Sequence, residues 1–289
     1  MKRVLILGSS GRLGASLSLK LNFCDEFELH LHSRRKKNEV NADLTDRTST
    51  FRMLETVKPD LIINSVALAE VEACEKNPSR AFSVNVLTIK HVAEWISTRS
   101  RSTYLVHIST DHVYDGVGVH EETDVEITNY YAFSKYTSEL EATQVHSSIL
   151  RVNFVGKSHS TIRQTFSDWI VSSLRQGRQI ELVEDIRFSP TTVDQVIAAV
   201  RFACQNRILG TFNVGSWGSL TKSQFGFELA SKLGLDQRLI SPVKAEDCLS
   251  YLVYRPKNMV MDMSKWESET DLTALSSAEV ISSVVSEFE

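Results

Sequence analysis

Residues 2–14 read KRVLILGSSGRLG, an apolar run that ends in three glycines spaced three residues apart. The apolar run suits a strand, and the residues after the last glycine suit a helix. Glycine permits the positive φ angles of a tight turn, and the first turn of a helix offers N–H groups to a pyrophosphate. This stretch therefore predicts a dinucleotide-binding loop, with a purely structural turn as the alternative. The residues expected at the cofactor are Gly8, Gly11, Arg12, Leu13 and Gly14.

Strand-like and helix-like segments alternate after this loop. Alternation of strands with helices of ten or more residues predicts an α/β fold, here a Rossmann-type doubly wound parallel sheet. The further strand-like segments are 27–33, 60–64, 104–108 and 148–152, and the helix-like segments between them include 48–57 and 78–97.

The regular alternation ends near Asn153. We therefore expect a dinucleotide-binding domain over residues 1–153 and a smaller α/β C-terminal substrate-binding region over 154–289. Segments around 187–204 are expected to return to the first domain. The chain contains no Gly/Ser-rich linker, so the second region is expected to pack against the first.

The composition is that of an ordinary globular protein, with 42% hydrophobic and 24% charged residues in a chain of 289. Its 32 basic and 36 acidic residues give a net charge of −4, so no overall field favours nucleic acid or an anionic membrane. No apolar run approaches the roughly 20 residues of a membrane helix. We expect a cytoplasmic protein with no nucleic-acid or membrane partner, and a homodimer is one assembly to consider.

The cysteines of the chain lie far apart and form no Cys-x-x-Cys pair. This spacing argues against a zinc site and against a disulfide framework. We expect no metal site and reduced thiols at Cys24, Cys74, Cys204 and Cys248.

A phenol and an ammonium lie four residues apart at Tyr131 and Lys135. On a helix these positions share a face, so the ammonium can lower the pKa of the phenol and make it a usable acid near neutral pH. Tyr130 lies five residues before the lysine and is rotated away. Thr110 follows a predicted strand at the edge where open α/β sheets bind ligands, and its hydroxyl can donate to a substrate oxygen. Alternatively, Thr110 caps the following turn.

The second predicted strand ends in Ser33 and Arg34 rather than in an acid. A carboxylate at this position commonly holds the ribose 2′-OH of NAD, and it would repel a 2′-phosphate. Ser33 and Arg34 can instead bind the phosphate, so we predict NADPH as the cofactor, with NADH as the second choice. The alternative is that this basic segment is a solvated loop.

Several motifs occur together in a fixed order. Gly-x-x-Gly-x-x-Gly is followed by a Ser-Thr pair at 109–110 and by Tyr-x-x-x-Lys at 131–135, a pattern that resembles the extended short-chain dehydrogenase/reductases. More narrowly, the chain is similar to the dTDP-4-dehydrorhamnose reductase branch of the sugar-nucleotide 4-ketoreductases. The segments that carry this narrower resemblance are NSVALAEVEACE (64–75), STDHVYDG (109–116), SPT (189–191) and RPKN (255–258).

The resemblance implies roles for individual residues. Thr110, Tyr131 and Lys135 would be the catalytic residues, with Asp111 in support. Tyr131 and Lys135 would also contact the cofactor. The other implied contacts are Asp43 and Leu44 beside the adenine, Val66 and Ala67 along the cofactor, and Arg255 at the substrate's diphosphate.

The reaction implied by the resemblance is NADPH-dependent reduction of a 4-keto sugar nucleotide in nucleotide-sugar and polysaccharide biosynthesis. Phe154 stands where the pattern usually has Trp, and His112 replaces an aromatic Tyr. We expect both residues to contact the substrate and to influence which sugar is bound. One alternative function is a nucleotide-sugar 4-epimerase with bound NAD. Another is a non-catalytic NADP-binding subunit that resembles the regulatory subunit of methionine adenosyltransferase.

Overall fold

The computed structural model of the chain describes residues 2–21, 27–34, 39–158 and 164–289. The chain divides into two compact units. The first unit comprises Met1–Ser109, Tyr130–Leu150 and Ile197–Phe212, and the second unit comprises Thr110–Asn129, Arg151–Val196 and Asn213–Glu289.

Strands and helices alternate over most of the described residues. The strands are β1 Lys2–Leu7, β2 Phe27–Ser33, β3 Val40–Asn41, β4 Leu61–Asn64, β5 Tyr104–Thr110, β6 Ser147–Val152, β7 Phe154–Val155, β8 Ile180–Val183, β9 Arg187–Phe188, β10 Thr191–Thr192, β11 Gly210–Val214, β12 Leu220–Thr221, β13 Ile240–Val243 and β14 Asn258–Met259. The α-helices are α1 Arg12–Lys20, α2 Arg47–Val57, α3 Val71–Lys76, α4 Pro78–Ala81, α5 Thr88–Arg99, α6 Tyr130–Ala142, α7 Phe166–Arg175, α8 Val193–Asn206, α9 Lys222–Lys232, α10 Ser264–Glu269 and α11 Ser277–Ser286.

Seven strands form one sheet in the order β11-β6-β5-β4-β1-β2-β3. β1 pairs in parallel with both β2 and β4, β2 pairs in parallel with β3, and β4 with β5. From β1 the chain runs outward through β2 and β3, and it then returns to the other side of β1 through β4, β5 and β6. This is the topology of a doubly wound sheet, so the predicted Rossmann-type fold is confirmed.

The central strand β1 is completely buried over its last four residues. Val4, Leu5, Ile6 and Leu7 have no exposed surface, as is typical of a strand in a parallel sheet. The strand order reverses between β1 and β4. The carboxyl ends of strands at such a reversal are the usual ligand-binding edge of a doubly wound fold, and the glycine loop follows β1 directly.

The predicted helix over residues 78–97 is present, with one wider turn. Between α4 and α5 lies a π-helical segment, Phe82–Leu87. Inside it the buried Asn85 accepts a hydrogen bond from the Leu68 N–H at 2.7 Å and donates to the Leu68 carbonyl at 3.1 Å and to Ser134 Oγ at 2.8 Å. A π turn re-aims one side chain of a helix, and here it coincides with a buried amide that satisfies three polar groups.

The second unit has short strand pairs around its own apolar core. β8 pairs in parallel with β13, β7 pairs in parallel with β10, and β9 lies between β12 and β14. Helices α7, α9 and α11 each begin at a capping box, whose hydroxyl comes from Thr165, Thr221 and Ser276 respectively. Phe188 and Phe225 are fully buried in the core of this unit.

The two units differ in their bounds from a single division at residue 153. Residues 110–129 belong to the second unit, and residues 197–212 belong to the first. The assignment of cofactor binding to one domain and of substrate binding to the other stays a prediction.

Across the described part of the chain, no helix has both the length and the apolar character that are needed to cross a bilayer.

Candidate active site

The loop between β1 and α1 is held at the end of β2. Gly8 has a φ of +82°, which is strained for any residue with a side chain. The N–H groups of Gly8 and Ser9 both donate to the carbonyl of His32, at 3.1 and 3.0 Å. Gly11 is the N-cap of α1, and it has no side chain to satisfy the N–H groups of the first turn. Phosphate oxygens are suitable acceptors for such groups, so the loop fits the pyrophosphate of a dinucleotide.

Gly14 brings α1 close to this loop. A Cβ at Gly14 would lie 2.1 Å from the carbonyl oxygen of Gly8 and 2.9 Å from Ser65 Oγ, so only glycine fits. Gly11 has a φ of −72°, and a Cβ there would lie 3.2 Å from the same oxygen. The first glycine therefore makes the turn and the third permits close packing, which leaves the second for a close approach of the cofactor. This division of roles is that of dinucleotide-binding loops.

Val66 and Ala67, which are expected along the cofactor, follow β4. The Val66 N–H donates to Asn64 Oδ1 at 3.3 Å. Val66 Cγ2 would lie 2.9 Å from a Cβ at Gly8, so the two residues are in contact. Both Val66 and Ala67 are partly exposed. The structure therefore places Val66 at the glycine loop, as a cofactor contact requires.

Asp43 and Leu44, which are expected beside the adenine, lie in the loop between β3 and α2. The exposed Asp43 carboxylate accepts hydrogen bonds from the hydroxyl and the N–H of Thr45, at 2.7 and 3.0 Å. These bonds lower the pKa of Asp43 from its usual value. Leu44 is buried, and its carbonyl accepts a hydrogen bond from Thr50 Oγ1 at 3.2 Å. The conformation of this loop is thus determined within the first unit.

A carboxylate that the sequence analysis did not include also lies at the glycine loop. Ser9 Oγ donates to Glu39 Oε2 at 2.6 Å and contacts the His32 carbonyl at 2.9 Å. Ser33 is buried at the end of β2, and the next residue, Arg34, is exposed. The acid of an NAD-binding site is expected at the end of the second strand. Glu39 lies six residues beyond the end of β2, so its position in the sequence did not indicate this role.

Lys135 is buried with its ammonium at the carboxyl end of β5. Its Nζ donates to the Ile108 carbonyl at 2.8 Å, and its side chain is only 1% exposed. Burial lowers the pKa of Lys135 to about 8, and the nearby Glu139 carboxylate opposes this shift. Tyr131 lies one turn earlier on α6 and is also buried. The predicted helix face is thus present, and the effect of Lys135 on the pKa of Tyr131 stays a prediction.

His107 connects β4, β5 and α6 in the interior of the first unit, and sequence reasoning did not single it out. Its Nδ1 lies 3.0 Å from Asn64 Nδ2, and its Nε2 lies 2.9 Å from Ser138 Oγ. Ser138 Oγ donates onward to the Lys135 carbonyl at 2.6 Å. Burial, and then the charge of Lys135, hold the pKa of His107 well below its usual value. A neutral ring that accepts a hydrogen bond from Asn64 and donates one to Ser138 satisfies every polar group in this series of hydrogen bonds.

Thr110 is the last residue of β5 and begins the part of the chain assigned to the second unit. Its Oγ1 accepts a hydrogen bond from the His112 N–H at 3.2 Å, so Thr110 caps the short 3-10 helix Asp111–Val113. The alternative suggested by the sequence is therefore present in the structure. The hydroxyl proton points toward Asp111 Oδ1 at the long distance of 3.4 Å. The cap uses one lone pair of the Thr110 hydroxyl oxygen, so the hydroxyl can still donate its proton to a substrate oxygen.

Asp111 and His112 belong to a cluster of ionisable groups in the second unit. Asp111 is 1% exposed, and its Oδ2 accepts a hydrogen bond from Asn153 Nδ2 at 2.6 Å. Burial raises the pKa of Asp111 to about 6, against the opposing charge of Lys222. Burial, together with the charges of Arg255 and Lys222, lowers the pKa of His112 to about 3. The structure therefore brings Asp111, His112 and Arg255 together and adds Lys222, which carried no sequence signal.

The remaining predicted substrate residue, Phe154, lies in β7 opposite Thr191 of β10. Its ring is partly exposed. This strand pair connects it to the SPT segment at 189–191, but no described contact joins Phe154 to the cluster around Asp111. Its contact with a substrate stays a prediction.

Within the described ranges, no three His, Cys, Asp or Glu side chains are grouped as metal ligands. Cys74, Cys204 and Cys248 are buried free thiols, and Cys24 lies outside the described residues. Burial raises the pKa of Cys204 to about 12, so its thiol is inert near neutral pH.

Comparison with known proteins gives a consistent result. A family model described as the RmlD substrate binding domain matches residues 1–289. A probable low-salt glycan biosynthesis reductase of Haloferax volcanii is 30% identical over 79% of this chain and 77% of its own length. A dTDP-4-dehydrorhamnose reductase of Aggregatibacter actinomycetemcomitans is 25% identical over 92% of both chains. The crystal structure of a Bacillus anthracis dTDP-4-dehydrorhamnose reductase in complex with NADP has the same fold, with a TM-score of 0.88 at 24% identity over 99% of this chain and 100% of that one.

Alanine substitution of the second and third glycines of the loop should affect stability and cofactor binding differently. Gly14→Ala places a methyl group 2.1 Å from the Gly8 oxygen, so we expect the free energy of unfolding to fall by about 1–3 kcal/mol or more. Gly11→Ala has a permitted φ, and its Cβ would lie 3.2 Å from the same oxygen, a much milder clash, so its stability should fall less than that of Gly14→Ala while dinucleotide binding weakens. Urea denaturation and fluorescence titration with cofactor measure the two effects. Equal stability of both variants would contradict the packing role of Gly14.

Asp111→Asn should change the pH dependence of stability. The pKa of Asp111 is about 6 in the folded protein, against about 3.9 in an unfolded chain, so ionisation of Asp111 costs stability as pH rises through this window. We expect the free energy of unfolding of Asp111→Asn, relative to the unsubstituted protein, to increase by about 2 kcal/mol between pH 4 and pH 7. Urea denaturation at a series of pH values measures this difference. A difference that does not vary with pH would show that Asp111 ionises normally.

Proposed function

The chain belongs to the RmlD substrate binding domain family, and on that premise we propose that it is an NADPH-dependent reductase of a keto sugar nucleotide. The observation that carries the proposal is the buried Lys135, held by the Ile108 carbonyl one turn after Tyr131 on α6. The glycine loop after β1 lies in the same unit and fits a dinucleotide. Both curated relatives described above are named as reductases, which supports reduction over epimerisation and over a non-catalytic role.

The cofactor is bound by residues of the first unit. The glycine loop, with Gly8, Gly11 and the first turn of α1 at Arg12 and Leu13, holds the pyrophosphate through backbone N–H groups. Ser33 and Arg34 hold the 2′-phosphate. The residues that enclose the rest of the cofactor are Asp43 and Leu44 at the adenine, and Val66, Ala67, Tyr131 and Lys135 toward the nicotinamide. When bound, NADPH supplies the hydride.

The proton comes from Tyr131. As the ketone oxygen gains negative charge, the Tyr131 hydroxyl donates its proton to it, and the adjacent Lys135 ammonium stabilises the resulting phenolate. Thr110 donates a hydrogen bond to the same oxygen and orients the ketone. Asp111 lies beside Thr110, with its Oδ1 3.4 Å from the Thr110 hydroxyl, and keeps that hydroxyl oriented.

The substrate is a nucleotide-linked keto sugar, and a 4-keto-6-deoxy sugar is the first choice. Arg255 binds the diphosphate, because its guanidinium can donate two parallel hydrogen bonds to phosphate oxygens. His112 and Phe154 contact the sugar and contribute to its selection. A cytoplasmic location and a homodimeric assembly are part of the same proposal.

Tyr131→Phe tests the chemical step directly in an NADPH-oxidation assay with a panel of nucleotide-linked keto sugars. Loss of the general acid should lower kcat by about 10²–10⁴-fold while cofactor binding is retained. Tyr130→Phe is the matched control, since Tyr130 is the neighbouring phenol and packs on Phe133 with ring centroids 5.4 Å apart. Near-normal turnover by Tyr131→Phe would refute the proposal. So would a failure of the unsubstituted protein to oxidise NADPH with any keto sugar in the panel.

Arg34→Ala and Glu39→Gln should shift cofactor preference in opposite directions. Removal of the Arg34 charge should raise KM for NADPH roughly tenfold and leave KM for NADH unchanged, because only NADPH carries the 2′-phosphate. Removal of the Glu39 charge at Ser9 should favour NADPH, since a carboxylate repels that phosphate. Steady-state kinetics with both cofactors measure the shift. A parallel change for NADPH and NADH in both variants would contradict these roles.

A further inference from the structure

Lys222 occupies an electrostatically unfavourable position. It is the first residue of α9, directly after the N-cap Thr221, whose hydroxyl accepts a hydrogen bond from the Gln224 N–H at 3.1 Å. A helix N-terminus carries a partial positive charge, so a cation there is destabilising and an anion is favoured. Lys222 is nevertheless half-buried. A lysine kept in such a position needs a compensating partner.

The ammonium of Lys222 packs on aromatic rings. Nζ lies 3.3 Å from the ring centroid of Phe188 and 5.2 Å from that of Phe166. Both rings also pack against Phe225, so the two rings under the ammonium belong to one aromatic cluster. An aromatic face attracts a cation, but it accepts no conventional hydrogen bond, so the three N–H groups of the ammonium remain to be satisfied.

No described oxygen atom accepts a hydrogen bond from Lys222 Nζ. The charge of Asp111 acts on the ammonium and opposes the lowering of the Lys222 pKa to about 8 by burial. The Asp111 carboxylate is already bonded to Asn153 at 2.6 Å and faces Thr110 at 3.4 Å. Asp111 therefore neutralises part of the field of Lys222 without forming an ion pair with it.

Lys222 and Arg255 act on the same neighbour. The charges of both residues lower the pKa of His112, so both cations lie near its ring. His112 is neutral near pH 7, Asp111 is ionised, and Lys222 and Arg255 are positive. The four side chains together carry one net positive charge, and the ammonium still has hydrogen bonds to donate. The group is therefore suited to an anion that presents several oxygen atoms.

We propose that Lys222 is a substrate-binding residue whose ammonium, supported on Phe188 and Phe166, binds the diphosphate of the nucleotide together with Arg255. This inference rests on the proposed function, because the diphosphate is the anionic part of a keto sugar nucleotide. Lysine acts as a compact point charge with three donors, and arginine acts as a planar fork, so the two can bind different oxygens of one diphosphate. Lys222 thereby contributes affinity for the nucleotide and plays no part in the proton transfer.

Calorimetric titration of Lys222→Met with nucleoside diphosphates tests the inference without any turnover. The unsubstituted protein is first titrated with dTDP, UDP and GDP, and the tightest ligand is used for the variants. Methionine keeps the apolar stem on the two rings and removes the charge. Binding of the diphosphate should weaken about 10- to 100-fold, while binding of the parent nucleoside, followed by NMR titration, should stay the same. Lys222→Arg should retain most of the affinity because it retains the charge.

Lys157→Met is the matched control. Lys157 is an exposed lysine of the same unit whose Nζ lies 5.9 Å from the ring centroid of Phe288, and its replacement should leave nucleotide affinity unchanged. Unchanged diphosphate affinity in Lys222→Met would overturn the inference, and so would an equal loss of nucleoside and diphosphate binding, which would indicate a packing defect. Failure of the unsubstituted protein to bind any of the three diphosphates would overturn both the inference and the proposed substrate class. A third outcome separates the two proposals. If Lys222→Met loses diphosphate affinity but no keto sugar supports NADPH oxidation by the unsubstituted protein, Lys222 remains a nucleotide-binding residue and the proposed reductase activity is refuted.

Discussion

Burial of the Lys135 ammonium at the carboxyl end of β5 is the constraint on which the polar interior of the first unit depends. A buried cation loses its hydration, and the protein must replace the water with fixed acceptors or with opposite charge. The Ile108 carbonyl supplies the acceptor at 2.8 Å, and Glu139 supplies the charge. Ser109 Oγ in turn donates to Glu139. Because these groups offset the cost of burial only in part, the pKa of Lys135 falls to about 8, which brings the titration of the ammonium close to neutral pH.

The residues around Lys135 also explain why His107 must be neutral. A protonated ring would place a second cation beside a buried ammonium, and its Nδ1–H would oppose the amide protons of Asn64. The neutral ring instead joins two strands to α6 through Asn64 and Ser138. In this way the parallel sheet determines where α6 lies, and α6 carries both Tyr131 and Lys135. The geometry of the proposed proton donor is thus a consequence of core packing.

Sequence reasoning predicted the local geometry correctly where that geometry depends on residue spacing. Gly8, Gly11 and Gly14 predicted the loop because each spacing in a strand-turn-helix unit has a steric meaning, and the i, i+4 separation predicted the shared face of Tyr131 and Lys135. It missed Glu39, His107 and Lys222, whose roles depend on contacts with residues distant in the chain. His107 reads as an ordinary strand residue, and Lys222 reads as a helix surface charge until Phe188 and Phe166 are seen beneath it. These contacts arise from tertiary packing, which has no short-range signal.

The central claim is that this chain transfers a hydride to a sugar ketone while Tyr131 supplies the proton. The most direct measurement is the fate of deuterium from NADPH labelled at C4 on the transferred face, followed by mass spectrometry and NMR of the sugar nucleotide product. We predict one deuterium on the former carbonyl carbon, with oxidised cofactor formed in equal amount and with both products lost in Tyr131→Phe. A product without carbon-bound deuterium, or label that appears equally in Tyr131→Phe, would contradict the account.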